Sequence, residues 1–125
     1  MKALTICQPY AEMIAAQEKH VENRTWPTSY RGPLLIHAGK SRDWLEDGDE
    51  RERPEMAFGA AVAIANLVDC VRPEALSSNP AWENEIHHIN GPWCFVLEDV
   101  ERIEPIPMRG AQGLWDADVP LPTRP

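Results

Sequence analysis

Within the octet QEKHVENR, residues 17 to 24, an ammonium, a carboxylate and a guanidinium stand at Lys19, Glu22 and Arg24. Such a trio could clamp a phosphate or polarise a carbonyl, with burial tuning the proton affinity of the lysine. If the chain is extended from Val21 onward, Glu22, Arg24 and Trp26 share one face, with Glu22 and Arg24 about 7 Å apart. Trp26, and Tyr30 in the next turn, offer rings on which bases can stack, worth about 1–3 kcal/mol per base at single-strand sites. Arg31 and Lys40 extend the basic character of the same stretch. The spacing equally suits a structural Glu–Arg pair on a wet strand face, with Lys19 capping the carbonyls of a helix end, and aromatic residues that belong to the core. His37, inside the apolar LLIHA, reads as a core histidine with satisfied nitrogens, and Glu83 and Glu85 as dressing on a solvated helix.

Charge bears on the partner. The 125 residues carry a formal net charge of -8, which by itself opposes a nucleic-acid ligand. The acids are unevenly placed, however: residues 1 to 42 hold six Lys/Arg against three acids, and residues 43 to 125 hold six against seventeen. A locally basic surface around the octet is therefore compatible with the overall acidity. The acidic remainder could instead meet a protein partner.

The three cysteines, Cys7, Cys70 and Cys94, are widely spaced among apolar neighbours, as expected of free thiols in a reducing, cytoplasmic setting. There is neither a secretory leader pattern nor an apolar run long enough to span a membrane. CxxC and HxxxH spacings are absent, so no metal is expected, and no cofactor either, since GxGxxG, GxxxxGK[ST] and GxSxG are also missing.

The elements that must position the octet follow from periodicity. ALTICQ alternates as a first strand, and Pro9 suits the start of a helix whose Tyr10, Met13 and Ile14 recur on one face and which ends near residues 17 to 19. Val21 to Trp26 and PLLIHA read as strands separated by the turn PTSYRG. KSRDWLEDGDERERPE is a polar excursion. GAAVAIANLVDCV, rich in Val and Ile, is a buried strand. A short helix lies within residues 73 to 90, and a strand in GPWCFVLEDVERI presents Trp93, Phe95 and Leu97 to one side. Five or six short strands with two or three helices predict one α+β domain over residues 1–116, followed by a Pro-rich tail, residues 117–125, poorly ordered from Val119 onward. A monomer is expected.

The ordered blocks ICQPYAEMI, QEKHVENR, TSYRGPLLIHAGK and PIPMRGAQGLW resemble the ASCH domain family of the PUA-like superfamily, in its coactivator-type branch, over most of the chain from Ala3 to Trp115. The octet is similar to that family's GxKxxExR motif at Lys19, Glu22 and Arg24, with Gln17 where the motif has glycine. The resemblance implies a small PUA-like mixed β-barrel with flanking helices and a cleft lined by Lys19, Glu22 and Arg24 that takes RNA or a nucleotide-like ligand, in RNA metabolism or transcription-related regulation. It also implies an alternative, because one branch removes the acetyl group of N4-acetylcytidine with a Lys, a Thr and a Glu, and some relatives cleave RNA. On that alternative Lys19 and Glu22 are the catalytic residues. The branch's threonine position is Glu22 here, with Thr25 on the opposite strand face. The residues alone leave open whether the protein is an enzyme.

Overall fold

The computed structural model describes residues 1 to 118. The expected disorder of the tail from Val119 onward falls outside the described residues. Ala117, by contrast, is 6% exposed, and its N–H donates to the Met1 carbonyl at 2.8 Å.

Six strands, β1 (Lys2–Ile6), β2 (Val21–Arg24), β3 (Gly32–Ala38), β4 (Ala60–Val71), β5 (Trp93–Pro107) and β6 (Leu114–Asp116), form one mixed sheet. Their order is β2-β5-β4-β3-β1-β6. β1 and β3 run parallel and the other neighbours antiparallel. The sheet curls into a half-barrel with β2 and β6 at its edges, accompanied by a few helices. This is the α+β architecture that the strand count predicts. β6 is the strand that periodicity could not show, since three residues in a turn-rich stretch carry no period.

Alternation sorts the side chains. Leu4 and Ile6, Leu34 and Ile36, and Phe95 and Leu97 meet α1 (Tyr10–Ala15) in the main core, while Ala3 and Leu35 join a smaller cluster on the other face with Ile103 and Trp115. Cys94 and Val96, out of phase with Phe95, pack with Val21 and Leu76 in a third cluster. Register shifts between β4 and β5 interrupt their ladder at three places, which is how a long two-stranded ribbon bends.

The short helix α1 is clamped at both ends. Gln8 is fully buried; its Oε1 accepts from the Glu12 N–H at 2.8 Å and its Nε2 donates to the Ala57 carbonyl at 2.7 Å. Glu12, 4% exposed, receives both guanidinium arms of Arg102 at 2.6 and 2.7 Å, tying the helix to β5. At the other end Gln17 has φ +61°, Glu18 N–H donates to Met13 O at 2.8 Å and Gln17 N–H to Ile14 O at 3.0 Å. That pair of bonds is a Schellman closure, with glutamine in the left-handed position where glycine is usual. The residue after the closure is Lys19, so the turn sets where the ammonium goes.

Two further short helices, α2 (Asp49–Glu52) and α3 (Pro73–Ser77), and a 3₁₀ segment, Pro80–His88, complete the described chain. Among the described residues no helix is long and apolar enough to cross a membrane.

Candidate functional site

Lys19 enters from the turn after α1, and Glu22 and Arg24 point from the same face of β2. The Lys19 Nζ donates to the Val21 carbonyl and, at 3.1 Å, to Glu22 Oε1; the other carboxylate oxygen, Oε2, accepts from Arg24 Nη2 at 3.0 Å. Arg24 Nη2 also donates to the Thr5 carbonyl at 2.8 Å, which pins the guanidinium to β1. Its Nε is buried without a partner. Lys19 is 3% exposed and also lies over the Tyr10 ring, 5.5 Å from its centroid. The three groups are thus a chain of alternating charge, with Glu22 as the shared central anion.

This chain lines a cavity of about 940 Å³. The opposite walls come from Lys40 and Trp44 beyond β3, and from His87, His88 and Asn90 at the end of the 3₁₀ segment. Among the described residues Glu22 is the one carboxylate in the lining, against the cations Lys19, Arg24 and Lys40. With neutral histidines the cavity is therefore net positive on a protein whose formal charge is -8. Three rings, those of Tyr10, Trp26 and Trp44, join the lining. Trp44 is 61% exposed at the rim, tilted 57° to Tyr10 at 6.4 Å between centroids. Trp26 stands edge-on to Phe95 at 5.2 Å, anchoring it in the core while it contributes to the wall.

Asn23 holds the histidine wall in place. Its Nδ2 donates to His88 O at 2.9 Å and its Oδ1 accepts from the N–H groups of Asn90 and Gly91 at 3.0 and 2.8 Å. Glu85, expected to be solvated, instead accepts from the His20 N–H at 2.5 Å and lies 2.7 Å from His20 Nδ1, a second tie between the segment and the β2 junction. Burial, then neighbouring His87 and Lys19, push the His88 ring below its ordinary value near 6.5. Burial, then the charge of Glu22, push the Cys7 thiol upward, and burial raises the Tyr10 hydroxyl. Both groups stay protonated at neutral pH.

Of the residues singled out from sequence, Lys19, Glu22, Arg24, Trp26 and Lys40 meet at this cavity, and Thr25, expected on the opposite strand face, follows the end of β2 and lines it as well. Tyr30 and Arg31 do not line it: the Tyr30 hydroxyl donates to Pro33 O at 2.5 Å, and Arg31 bonds Thr28 O and Tyr30 O and pairs with Asp69. Tyr10, Cys7, Trp44 and the histidine pair were not anticipated, because each comes from another element and no local spacing links them to the octet. His37 is 1% exposed, with its ring nitrogens 3.1 Å from Thr5 Oγ1 and 2.8 Å from Met108 O, a satisfied core histidine. The three cysteines are free, and among the described residues no group of three or more His, Cys, Asp and Glu could hold a metal ion.

The ASCH domain family model matches residues 4–107. Human activating signal cointegrator 1 is 22% identical over 92% of this chain, which spans only about 22% of that protein's length. Crystal structures of the ASCH protein of Zymomonas mobilis superpose with TM-scores of 0.59 and 0.57 at 17% and 16% identity. The first, a tyrosine-to-phenylalanine variant, covers 94% of this chain and 89% of its own, and the second covers 94% and 87%.

Proposed function

Because the chain belongs to the ASCH domain family, we propose that its cavity binds RNA, in single-stranded form. The observation that carries this reading is a concave, net-positive, ring-lined site on a protein that is otherwise acidic. An acidic surface repels a polyanion except where a local excess of cations reverses the field, so contact is restricted to the cavity. Arg24 and Lys40 supply charge to phosphate. The exposed Trp44 and the Tyr10 ring supply stacking faces, which every base can use. Lys19 is already engaged by Val21 O and Glu22 and sets the position of the carboxylate rather than reaching outward.

Fluorescence anisotropy with short labelled RNAs at low salt measures the binding. Expected are saturable binding, a fall in affinity as salt rises, and a loss of about tenfold in Trp44→Ala, the equivalent of one stacked base. Failure of folded protein to bind any short RNA or single-stranded DNA at low salt overturns the reading. Hydrolysis with Lys19 and Glu22 as the catalytic residues is not better supported by the family match.

A further inference from the structure

Beside the main cavity lies a second, of about 280 Å³, lined by Thr5, His37, Gly39, Lys40, Gly59, Met108, Arg109 and Gly110. The two share Thr5, Gly39 and Lys40 in their walls, so they adjoin. Among the described residues the smaller contains two cations and no carboxylate. Among the described residues, Lys40 and Arg109 have no carboxylate within ion-pair distance, whereas most other lysines and arginines do. Arg72 is the further exception, and its guanidinium instead covers the Trp93 ring at 4.1 Å. Two unpaired cations converging on one hollow of an acidic protein are the electrostatic signature of an anion's place.

The backbone is shaped for it. Gly59, at φ +64°, lets the Lys40 stem lie across it, since a Cβ there would stand 3.0 Å from Lys40 Cε. A Cβ on Gly110 would come within 2.6 Å of Thr5 Oγ1 and 2.7 Å of His37 Cε1, so the chain carrying Arg109 is pressed against the hollow's floor. That floor is rigid: Trp115 Nε1 donates to Thr5 Oγ1 at 3.2 Å, Thr5 meets His37 Nδ1, and His37 Nε2 meets Met108 O.

We propose that the smaller hollow is a phosphate subsite for the nucleotide next to the one seated in the main cavity, with Lys40 bridging the two and Arg109 closing the far side. The inference rests on the RNA-binding reading above and refines its substrate class: the ligand is a strand of at least two linked nucleotides, not a free nucleoside or mononucleotide. Arg109 adds a charge-assisted contact that only a linked phosphate can reach.

Isothermal titration of the full chain with the four ribonucleoside monophosphates, the matching 5′-phosphorylated dinucleotides and a five-nucleotide RNA tests it. The dinucleotides should bind about tenfold tighter than the monophosphates, as one additional charged contact implies. Arg109→Ala should bring that ratio close to one and reduce the slope of log K against log salt for the five-nucleotide RNA by about 0.7. Arg109→Lys should restore most of both. Arg109 is exposed, so its replacement does not unsettle the core. Equal affinities for mono- and dinucleotides, or a ratio and slope indifferent to Arg109→Ala, overturn the subsite while RNA binding itself stands. Absence of binding to all three probes removes both readings together.

Discussion

Glu22 is the residue on which the site's geometry turns. One oxygen serves Lys19 and the other Arg24, and the lysine is 3% exposed. Taking away the shared anion leaves two cations facing each other, one of them without water, which costs about 3–5 kcal/mol when a buried pair is broken. Glu22→Ala should therefore lower the urea midpoint by that equivalent. Lys19→Met combined with Glu22→Gln, which removes both buried charges, should recover most of the loss. Equal destabilisation by the single and the double variant would show that packing rather than charge holds the junction. The octet's chemistry was legible because its three charged residues are close in sequence. Arg109 was not, since nothing in a turn-rich stretch links it to a lysine sixty-nine residues earlier; only the fold brings the two to one hollow.

At the scale of elements, two devices aim the site. The first is the Schellman closure at Gln17, whose side-chain amide donates to Val100 O at 3.2 Å. Gln17→Ala keeps the left-handed strain and loses that bond, whereas Gln17→Gly loses the bond and the strain together. Alanine should accordingly be the less stable by about 1 kcal/mol in denaturant titrations. The second is Asn23, which fastens the end of the 3₁₀ segment to β2. Asn23→Ala should increase amide hydrogen exchange across residues 85 to 91 and weaken RNA binding. Unchanged exchange there would mean that Glu85 and His20 suffice. Strands β1, β2 and β5 could be read from alternation, and β3 and β4 from short apolar runs, because both of their faces meet core clusters. The helical character of residues 73 to 90 could be read too, but not its division into α3 and the 3₁₀ segment, nor the role of Glu85, which looks like any surface acid until His20 is brought to it.

Across the whole molecule, acid weakens the fold in two windows of the same sign. His88 is held below its ordinary value near 6.5, chiefly by burial, with His87 and Lys19 opposing its charge and Glu85 and Glu18 favouring it. The unfolded chain therefore binds the proton more readily, and stability falls as pH drops from about 6.5 through the lower native value. Glu18, lowered chiefly by its hydrogen bonds from Arg53, adds a loss as pH falls below its ordinary value of 4.5. Urea midpoints between about pH 7.5 and 5.5 should decline in the native protein and decline less in His88→Gln. A flat profile would place His88 in solvent. The assembly order of the sheet carries a different consequence. β2 finds its partner in β5, and the outer edge of β1 is covered by β6, so the strand that carries Glu22 and Arg24 is made early and locked late. During vectorial synthesis β1 and β3 can pair early, but β2, which carries Glu22 and Arg24, must wait for β5. The binding surface is thus born late, and a nascent chain stalled before residue 93 would display those cations and rings without the cleft that makes them selective.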